Sequence, residues 1–403
     1  MTLSLAWRTV ALLACAAALN YADRTSISSV FPLLKQDLGL TDKDLGAVGS
    51  YFLWAYAFAS PFAGYLADRW PRGRLVAASL LAWSLVTLWT SFAGSLQELL
   101  ASRILLGIAE CAYLPAAVAL IADHHPAPTR GRAMALHLMG LNAGLVGGGT
   151  LAGFLGETHG WRFGLQILAV AGVVLAGICA LLLREGPERQ VTAGRVAGAA
   201  PLGEQLRSVL SNVPYLFLAV QAALVSIGTW MFFNWMPLYF RETFGLSLGI
   251  AGFSGTATLQ ISAVMGALAG GFVSDRASQG DPARGRLRVM MLCYLLCAPC
   301  LLMFLVPNVG IASISAAVVL FSLLRAMATA NETPAMCDLI PAANRSTGQA
   351  LMNMANTIAG GIGVYVAGSF KEEFGLSAIF AGVSGVMLVA TLFVFLASRQ
   401  QRP

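Results

Sequence analysis

The chain has 403 residues, of which 57% are hydrophobic and 11% charged, and its formal net charge is +6. Soluble domains carry roughly 25% charged residues, so the composition argues against a soluble globular protein and favours a chain that crosses a membrane several times. The positive charge does not indicate nucleic-acid binding, because it comes from the loops between apolar segments. The first apolar segment has no small-residue cleavage site, and we expect a retained helix rather than a signal peptide.

Apolar segments of about 20 residues, each long enough to span a bilayer, recur along the chain. Six precede a polar stretch and six follow it, which predicts an all-α membrane protein with twelve transmembrane helices in two pseudo-symmetric six-helix bundles. The bundles would comprise residues 1–183 and 214–403, with a cytoplasmic central loop at 184–213. The predicted spans lie at roughly 9–33, 45–67, 75–94, 98–122, 132–155, 163–183, 214–240, 249–273, 287–306, 311–338, 346–368 and 377–397.

The loops carry an asymmetric charge. Most of the 25 Lys and Arg residues fall in the loops on one side of the predicted spans. Cytoplasmic loops of membrane proteins carry such an excess, so we predict that both termini are cytoplasmic. The protein is then a multi-pass protein of the cell membrane (inner or plasma membrane).

The two halves of the sequence resemble each other. The stretch Gly64-Tyr-Leu-Ala-Asp-Arg69 after span 2 returns as Gly271-Phe-Val-Ser-Asp-Arg276 after span 8. Upstream Pro-Leu and Gly-Leu pairs keep nearly the same register. This pattern indicates a duplicated six-helix unit. Parallel repeats of this kind place a substrate cavity at the repeat interface, near the middle of the bilayer.

With these features the chain resembles the major facilitator superfamily, whose loop motif appears here as Gly64-x-x-x-Asp68-Arg69-x-x-Arg72, with Pro71 in place of the usual second Gly. The resemblance implies transport by alternating access. It also implies that the motif acid latches the outward-open state by binding a neighbouring helix end and nearby arginines. A simple loop anchor is the alternative. The candidate latch residues are Gly64, Asp68, Arg69, Arg72 and Arg130, with Asp275 and Arg276 in the second half.

Six charged residues fall inside the predicted spans: Asp23, Arg24, Arg103, Glu110, Arg325 and Glu332. Such residues normally face a protein interior or a wet cavity and mark a transport pathway or proton relay. Arg103 and Glu110 share a helix face but lie roughly 10 Å apart along its axis, so we expect Glu110 to meet Arg24 instead. A carboxylate placed in this way could load and release a proton. The candidates are Asp23, Glu110 and Glu332, and the alternative is that the charges only hold helices together.

Arg325 and Glu332 repeat the seven-residue spacing of Arg103 and Glu110, which suggests a duplicated device. Aligning the loops by Arg130 and Arg345 places Arg325 opposite Glu110 instead. Both interpretations remain open, and Glu332 could also be an ordinary wet carboxylate near the cytoplasmic end of its span.

A cationic cavity suits an anionic substrate. Arg24 is the candidate bidentate clamp for a carboxylate or phosphate, with Arg103 and Arg325 as further cations. Polar and aromatic groups at membrane depth could contact the hydroxyl groups and other uncharged parts of the substrate. Each of them could equally serve helix packing or inter-helix hydrogen bonding. These candidates are Asn20, Tyr21, Tyr51, Trp54, Asn142, Trp230, Asn234, Gln260, Asn353 and Asn356.

Two branches of the superfamily are similar to this chain. Asn20-Tyr21-x-Asp23-Arg24, with Gly107-x-x-Glu110, resembles the anion:cation symporter family. That resemblance implies proton-coupled symport of a sugar acid or other organic anion, with Arg24 on the substrate carboxylate and Asp23 and Glu110 handling protons. The stretch from Gly107 to Tyr113 also resembles the Spinster-like lysolipid transporters. A ligand sensor that moves nothing is a third possibility, but the tails are short for one.

Several classes of function find no support. A Walker A loop is absent, which argues against ATP-driven pumping, and we expect neither an enzyme nor a cofactor. The seven Cys residues lie in apolar segments, and we expect packing rather than a metal site or disulfides. His124-His125 is expected in a solvated loop. The expected partners are a small anionic substrate, protons and the lipid bilayer, for a monomeric protein that does not bind nucleic acid.

Overall fold

The structure, a computed structural model, describes residues 3–185, 202–277, 282–341 and 344–400. Every regular element in these ranges is a helix. The first half contains α1 (Leu3–Ser29), α2 (Phe31–Leu38), α3 (Asp42–Arg69), α4 (Arg72–Thr90), α5 (Leu96–Glu110), α6 (Tyr113–His124), α7 (Ala127–His159) and α8 (Trp161–Leu182). The second half contains α9 (Leu202–Leu210), α10 (Val213–Phe244), α11 (Leu248–Ala277), α12 (Pro282–Leu302), α13 (Ile311–Thr329), α14 (Glu332–Leu339) and α15 (Arg345–Arg399).

Helix ends follow local sequence signals. Thr41 caps α3 by accepting a hydrogen bond from the Asp44 amide at 3.2 Å, while the Asp44 carboxylate accepts from the Thr41 amide at 2.9 Å. This reciprocal arrangement is a capping box, which satisfies two backbone donors at a helix N-terminus. Ser95 caps α5 in a simpler way, through the Glu98 amide.

The helices account for twelve spans. In the described residues, ten helices are long and apolar enough to cross a membrane, counting α5–α6 and α13–α14 as one each. The 28-residue α3 is an eleventh long helix, with acidic residues in its first turn. The 55-residue α15 contains a kink at Gly375, whose φ of 74° and ψ of 157° are not helical. A left-handed φ favours glycine, and the kink divides α15 into two spans.

Contacts between residues divide the chain into two units. Unit 1 comprises Met1–Gly198 and Met236–Thr256, and unit 2 comprises Ala199–Trp235 and Ala257–Pro403. The end of α10 and the start of α11 therefore belong to unit 1. The predicted bundle limits at 183 and 214 remain a prediction, and residues 186–201 of the predicted central loop lie outside the described residues.

Close packing of glycines holds α1 in unit 1. A Cβ at Gly144 of α7 would lie 2.1 Å from the Ala18 carbonyl oxygen of α1, and one at Gly148 would lie 2.3 Å from the Ala22 Cα. Glycines spaced by four residues let two helix backbones approach this closely. This contact fixes α1, which carries the first charged residues.

Candidate functional site

Buried charges from two helices meet inside unit 1. We call Asn20, Asp23 and Arg24 of α1, with Arg103 and Glu110 of α5, the Arg24 cluster. All five side chains are at least nine-tenths buried, and Glu110 is completely so. Glu110 is the last residue of α5, and the helix resumes at Tyr113. The carboxylate therefore lies at a break in the span.

Arg24 is the centre of this cluster. Its Nε donates to Glu110 Oε2 at 2.9 Å, and its Nη2 donates to Asn20 Oδ1 at 3.1 Å. The expected contact between Glu110 and the first span is confirmed. A charge-assisted bond between a guanidinium and a carboxylate is among the stronger hydrogen bonds in proteins, and here it compensates two buried charges.

Aromatic rings enclose the Arg24 guanidinium. Its central carbon lies 4.4 Å from the ring centre of Tyr21, 4.7 Å from that of Tyr56 and 5.2 Å from that of Phe52. Cations at such distances are attracted to ring faces. Gly107 of α5 lets the two α3 rings come close, because a Cβ there would lie 2.6 Å from the Phe52 carbonyl oxygen.

Asp23 and Arg103 are held more loosely than Arg24 and Glu110. Asp23 Oδ2 accepts a long hydrogen bond of 3.3 Å from Thr87 of α4. The Arg103 guanidinium carbon lies 5.0 Å from the Phe52 ring centre and within electrostatic range of Glu110 and Asp23. Two acids and two bases thus share one buried volume, and their formal charges cancel.

Four polar atoms of the Arg24 cluster are buried and have no hydrogen-bond partner in the structure: Asn20 Nδ2, Asp23 Oδ1, Arg103 Nε and Glu110 Oε1. Most buried polar atoms in proteins are paired. Four orphans in one cluster therefore favour water molecules or ligand groups at this place. The same atoms offer both donors and acceptors to a hydroxylated anion.

A second carboxylate of the spans lies half-buried in unit 2. Glu332, the first residue of α14, accepts through Oε1 from the Tyr294 hydroxyl at 2.9 Å and from Gln221 Nε2 at 3.1 Å. We call Gln221, Tyr294 and Glu332 the Glu332 network. Gln221 is fully buried, and its Oε1 has no partner. Glu332 itself is half-buried and has two polar partners, and its predicted role, as a proton site or as an ordinary wet carboxylate, stays a prediction.

The suggested duplication of the Arg103–Glu110 spacing stays a prediction, because among the described residues Arg103 and Glu110 are also within electrostatic range without a hydrogen bond or ion pair. No hydrogen bond or ion pair joins the half-buried Arg325 to Glu332 or to another residue of the described ranges, although the two lie within electrostatic range. The alignment that places Arg325 opposite Glu110 fits better. By that alignment Asp123 corresponds to Asp338, and each of the two carboxylates binds an arginine near the start of a helix, Arg72 and Arg286 respectively.

The predicted latch motif is only partly visible. Arg72 pairs with Asp123, and Arg130 donates to the carbonyl oxygens of His125 at 3.1 Å and Ala122 at 3.2 Å, where it caps the C-terminus of α6. In the second half Arg345 donates to the Cys337 carbonyl at 2.8 Å. Cations at helix C-termini are favourable, so both contacts anchor a loop to a span.

The remaining motif residues make few contacts that would support the latch role. The side chain of Asp68 lies outside the described side chains, and Asp275 and Arg276 are exposed. Arg69 stacks on Tyr65 at 3.9 Å. A Cβ at Gly64 would have nothing within 4 Å, so this structure contains no steric reason for glycine there. The latch role remains a prediction.

The other predicted substrate residues are dispersed. Tyr51 and Trp54 contact each other. Asn142 and Asn234 donate to carbonyls of their own helices. In unit 2, Trp230 packs on Gly360, Gln260 is buried, Asn353 accepts from Gln349, and the Asn356 side chain has an unpaired buried oxygen.

Several site residues escaped prediction. Phe52 and Tyr56 contact Arg24, whereas the sequence suggested Tyr51 and Trp54 from the same aromatic run. The i, i+4 spacing of Phe52 and Tyr56, which places two side chains on one helix face, could have identified them. Thr87, Gln221 and Tyr294 carry no comparable signal, because isolated polar residues occur in many packed spans.

Metal ligands and cysteines were also candidates for chemistry in this sequence. No group of three or more His, Cys, Asp or Glu side chains in the described residues could hold a metal ion, and the seven Cys are free thiols. The expectation that His124 and His125 lie in a solvated loop is wrong. Both are buried, with His124 Nδ1 against the Leu120 carbonyl and His125 Nδ1 against Thr129.

Comparisons with known proteins agree with this architecture. The sequence model of the Major Facilitator Superfamily matches residues 13–283 and 256–403. The chain is 28% identical, over 98% of its length, to an MFS-type efflux pump of Mycolicibacterium smegmatis, and it covers 94% of that protein. It is 27% identical, over 93% of its length, to a probable sulfoacetate transporter of Cupriavidus necator, and it covers 90% of that protein.

Among solved structures, a bacterial homologue of the human lysosomal transporter Spinster, in an inward-facing and unoccupied conformation, matches with a TM-score of 0.82. The match covers 99% of this chain and 98% of that one at 21% identity, so it concerns the fold alone. The predicted all-α membrane fold is confirmed, and the relatives are transporters rather than enzymes. Because the family match extends over most of the sequence, the chain belongs to the major facilitator superfamily.

Proposed function

We propose that this transporter is a symporter that moves a small organic anion, such as a sugar acid, together with protons by alternating access. The observation that carries the proposal is the buried Arg24–Glu110 pair at 2.9 Å, set among two further charges and four unpartnered polar atoms. The relative from Cupriavidus necator, named a probable sulfoacetate transporter, supports an organic anion as the substrate class.

Coupling follows from competition for one guanidinium. Arg24 presents a planar fork that suits a carboxylate, but its Nε is taken by Glu110. A substrate carboxylate can replace Glu110 on Arg24. A proton on Glu110 makes this exchange favourable, because the neutral acid no longer attracts the guanidinium and no unpaired carboxylate is left buried.

Charge balance sets the expected stoichiometry. The charges of Asp23, Arg24, Arg103 and Glu110 cancel, and an extra anion would leave the buried volume negative. Isolated charges are costly in such surroundings. One proton on Glu110 or Asp23 restores neutrality for each negative charge of the substrate. Asp23 is the second candidate acceptor, because its Oδ1 has no hydrogen-bond partner.

The setting of the protein is part of the proposal. The Lys and Arg bias of the loops supports cytoplasmic termini, and we assign the protein to the plasma membrane, where it acts as a monomer. The loop arginines 72 and 130, bound to the end of α6, support a latch between conformations. Arg325 is a further candidate anion ligand.

The test is uptake of radiolabelled sugar acids by proteoliposomes, with and without an inward proton gradient. Glu110→Gln is expected to abolish proton-driven accumulation but to retain exchange of internal for external substrate, because the neutral amide mimics the protonated acid. Glu373→Gln, at an exposed position of α15, is the matched control. Normal proton-driven accumulation by Glu110→Gln would remove Glu110 from the coupling step.

A second candidate substrate is an amphipathic anion such as a lysophospholipid, which the resemblance to Spinster-like transporters implies. An apolar groove of about 660 Å³ between α3 and α5–α6 favours it, with Phe58, Phe62 and Ile108 in its walls and Cys111 next to Glu110. The same liposomes distinguish the candidates. Proton-driven movement of labelled lysophospholipid, without uptake of any sugar acid, would replace the first proposal by the second.

A further inference from the structure

The Glu332 network differs chemically from the Arg24 cluster. Arg24 can only donate hydrogen bonds, and its positive charge favours an ionised Glu110. The two partners of Glu332, a phenol hydroxyl and a carboxamide, can each donate or accept. Both therefore donate to an ionised Glu332, as observed at 2.9 and 3.1 Å.

The same two partners also suit the protonated acid. A protonated Glu332 needs one acceptor for its O–H, and Gln221 Oε1 is buried without a donor. A rotation of the amide about its last bond exchanges its NH₂ and oxygen, and these two orientations are isosteric. Glu332 can thus keep a hydrogen bond to both partners whether or not it carries a proton.

A row of exposed and half-buried polar side chains begins at the residue after Glu332. Thr333, the next residue of α14, donates to Gln349 Oε1 at 3.1 Å, and Gln349 Nε2 donates to Asn353 Oδ1 at 2.8 Å. Asn353 is exposed on unit 2. The chain of hydrogen bonds therefore leads from the turn that holds Glu332 to a surface that water can reach.

Few other charges face Glu332. On α13 the nearby charged group is Arg325, and on α12 the titratable groups are Tyr294 and Cys297. From α10 only the neutral Gln221 is in contact. On α15, Arg345 binds the Cys337 carbonyl near the other end of α14. Among the described residues, Arg325 is thus the positive charge that an ionised Glu332 compensates.

We propose that Glu332, with Tyr294 and Gln221, is a second proton-binding site, and that Arg325 beside it takes an anion when Glu332 is protonated. Ionised Glu332 compensates the charge of Arg325. When Glu332 binds a proton, Arg325 becomes an uncompensated, half-buried cation, and a carboxylate or sulfonate restores neutrality there. The anion class rests on the proposed symport function, whereas proton binding at Glu332 does not.

The experiment is infrared difference spectroscopy of the purified full-length protein between acidic and mildly alkaline pH, without substrate. Wild type is expected to show a protonated-carboxyl band that Glu332→Gln loses and Glu373→Gln keeps. Tyr294→Phe, which removes one hydrogen bond, should shift this band. A band that is unchanged in Glu332→Gln would overturn the proposal.

Two further variants keep the test decisive. If Glu332→Gln does not fold, Tyr294→Phe and Gln221→Leu must each shift the band, and unchanged spectra in both would overturn the proposal. Thermal stabilisation by sulfoacetate at acidic pH should be lost in Arg325→Gln, and its full retention would refute the anion site. Because the infrared measurement uses no substrate, a failure of sugar-acid transport would leave the Glu332 result intact. If the band were lost in Glu110→Gln but kept in Glu332→Gln, the Glu332 proposal would be overturned and the proposed symport function would stand.

Discussion

The Arg24 cluster and the Glu332 network place a carboxylate at the break of a span by different means. Glu110 ends α5 and is bound to a cation, whereas Glu332 begins α14 and is bound to neutral groups. In the aligned repeats, Arg325 occupies the position of Glu110, with the opposite charge. The two halves thus share a break in the span but differ in the chemistry around it.

The same divergence is visible in the backbone contact beside each site. Gly107 allows α5 to touch the Phe52 carbonyl of α3. At the aligned place in the second half, the Ser322 hydroxyl donates to the Leu259 carbonyl at 2.7 Å. One pair of helices is joined by close approach and the other by a hydrogen bond. The rings around Arg24 therefore depend on a glycine.

The largest expected effect is a difference in stability between variants of two arginines, Arg24 and Arg325. Arg24→Ala leaves Glu110 buried without its cation, and removing one partner of a buried pair costs about 3–5 kcal/mol. Arg325→Ala, the matched variant, breaks no hydrogen bond or ion pair within the described residues and should cost far less. Thermal unfolding of both purified variants measures the difference, which should grow at alkaline pH, where Glu110 cannot be neutralised. Equal losses would contradict the comparison.

A smaller effect is expected from crowding the Gly107 contact. In Gly107→Ala the new methyl group meets the Phe52 carbonyl and the Tyr56 amide at 2.6 and 2.9 Å, and overpacking of this kind costs about 1–3 kcal/mol. Gly147→Ala in α7 is the matched control. It raises helix propensity by the same amount, but its new Cβ has nothing within 4 Å. A melting temperature that falls in Gly107→Ala but not in Gly147→Ala is expected, and parallel behaviour would show that α5 has room to move.

The smallest effect concerns an exposed pair, which serves as a reference for the buried one. Asp37 of α2 accepts from Arg162 and from Trp161 Nε1, and these contacts lower its pKa. A lowered pKa stabilises the fold above the unfolded value of about 3.9, and the gain is lost as the pH falls through the folded pKa. Both side chains are partly exposed, so the gain is about 0–1 kcal/mol.

Asp37→Asn is the variant that tests this pair. Melting curves from neutral to strongly acidic pH should show a small gap between wild type and variant that closes at the acidic end. If the gap widened on acidification, the ionised Asp37 would not stabilise the fold, and the interaction would have the opposite sign to the one expected here.

The sequence was sufficient for much of the architecture. Runs of apolar residues long enough to cross a bilayer predicted the helices, because a chain in lipid must satisfy its backbone within helices. Charges inside those runs identified Asp23, Arg24 and Glu110, since such residues are costly at membrane depth. Helical spacing excluded Arg103 as a direct partner of Glu110 and left Arg24.

What each charge touches was decided by the tertiary structure. The sequence treated Glu332 by analogy with Glu110, but a side chain binds whatever neighbouring helices present, and α10 and α12 present Gln221 and Tyr294. The choice between adjacent rings of one aromatic run depends on the rotation of α3 against α5, which Gly107 permits. The sequence by itself determined where charge enters the membrane and that two halves repeat. Only the packing of helices decided which carboxylate is bound to a cation and which to neutral groups, because contacts between spans join residues that are far apart in the chain.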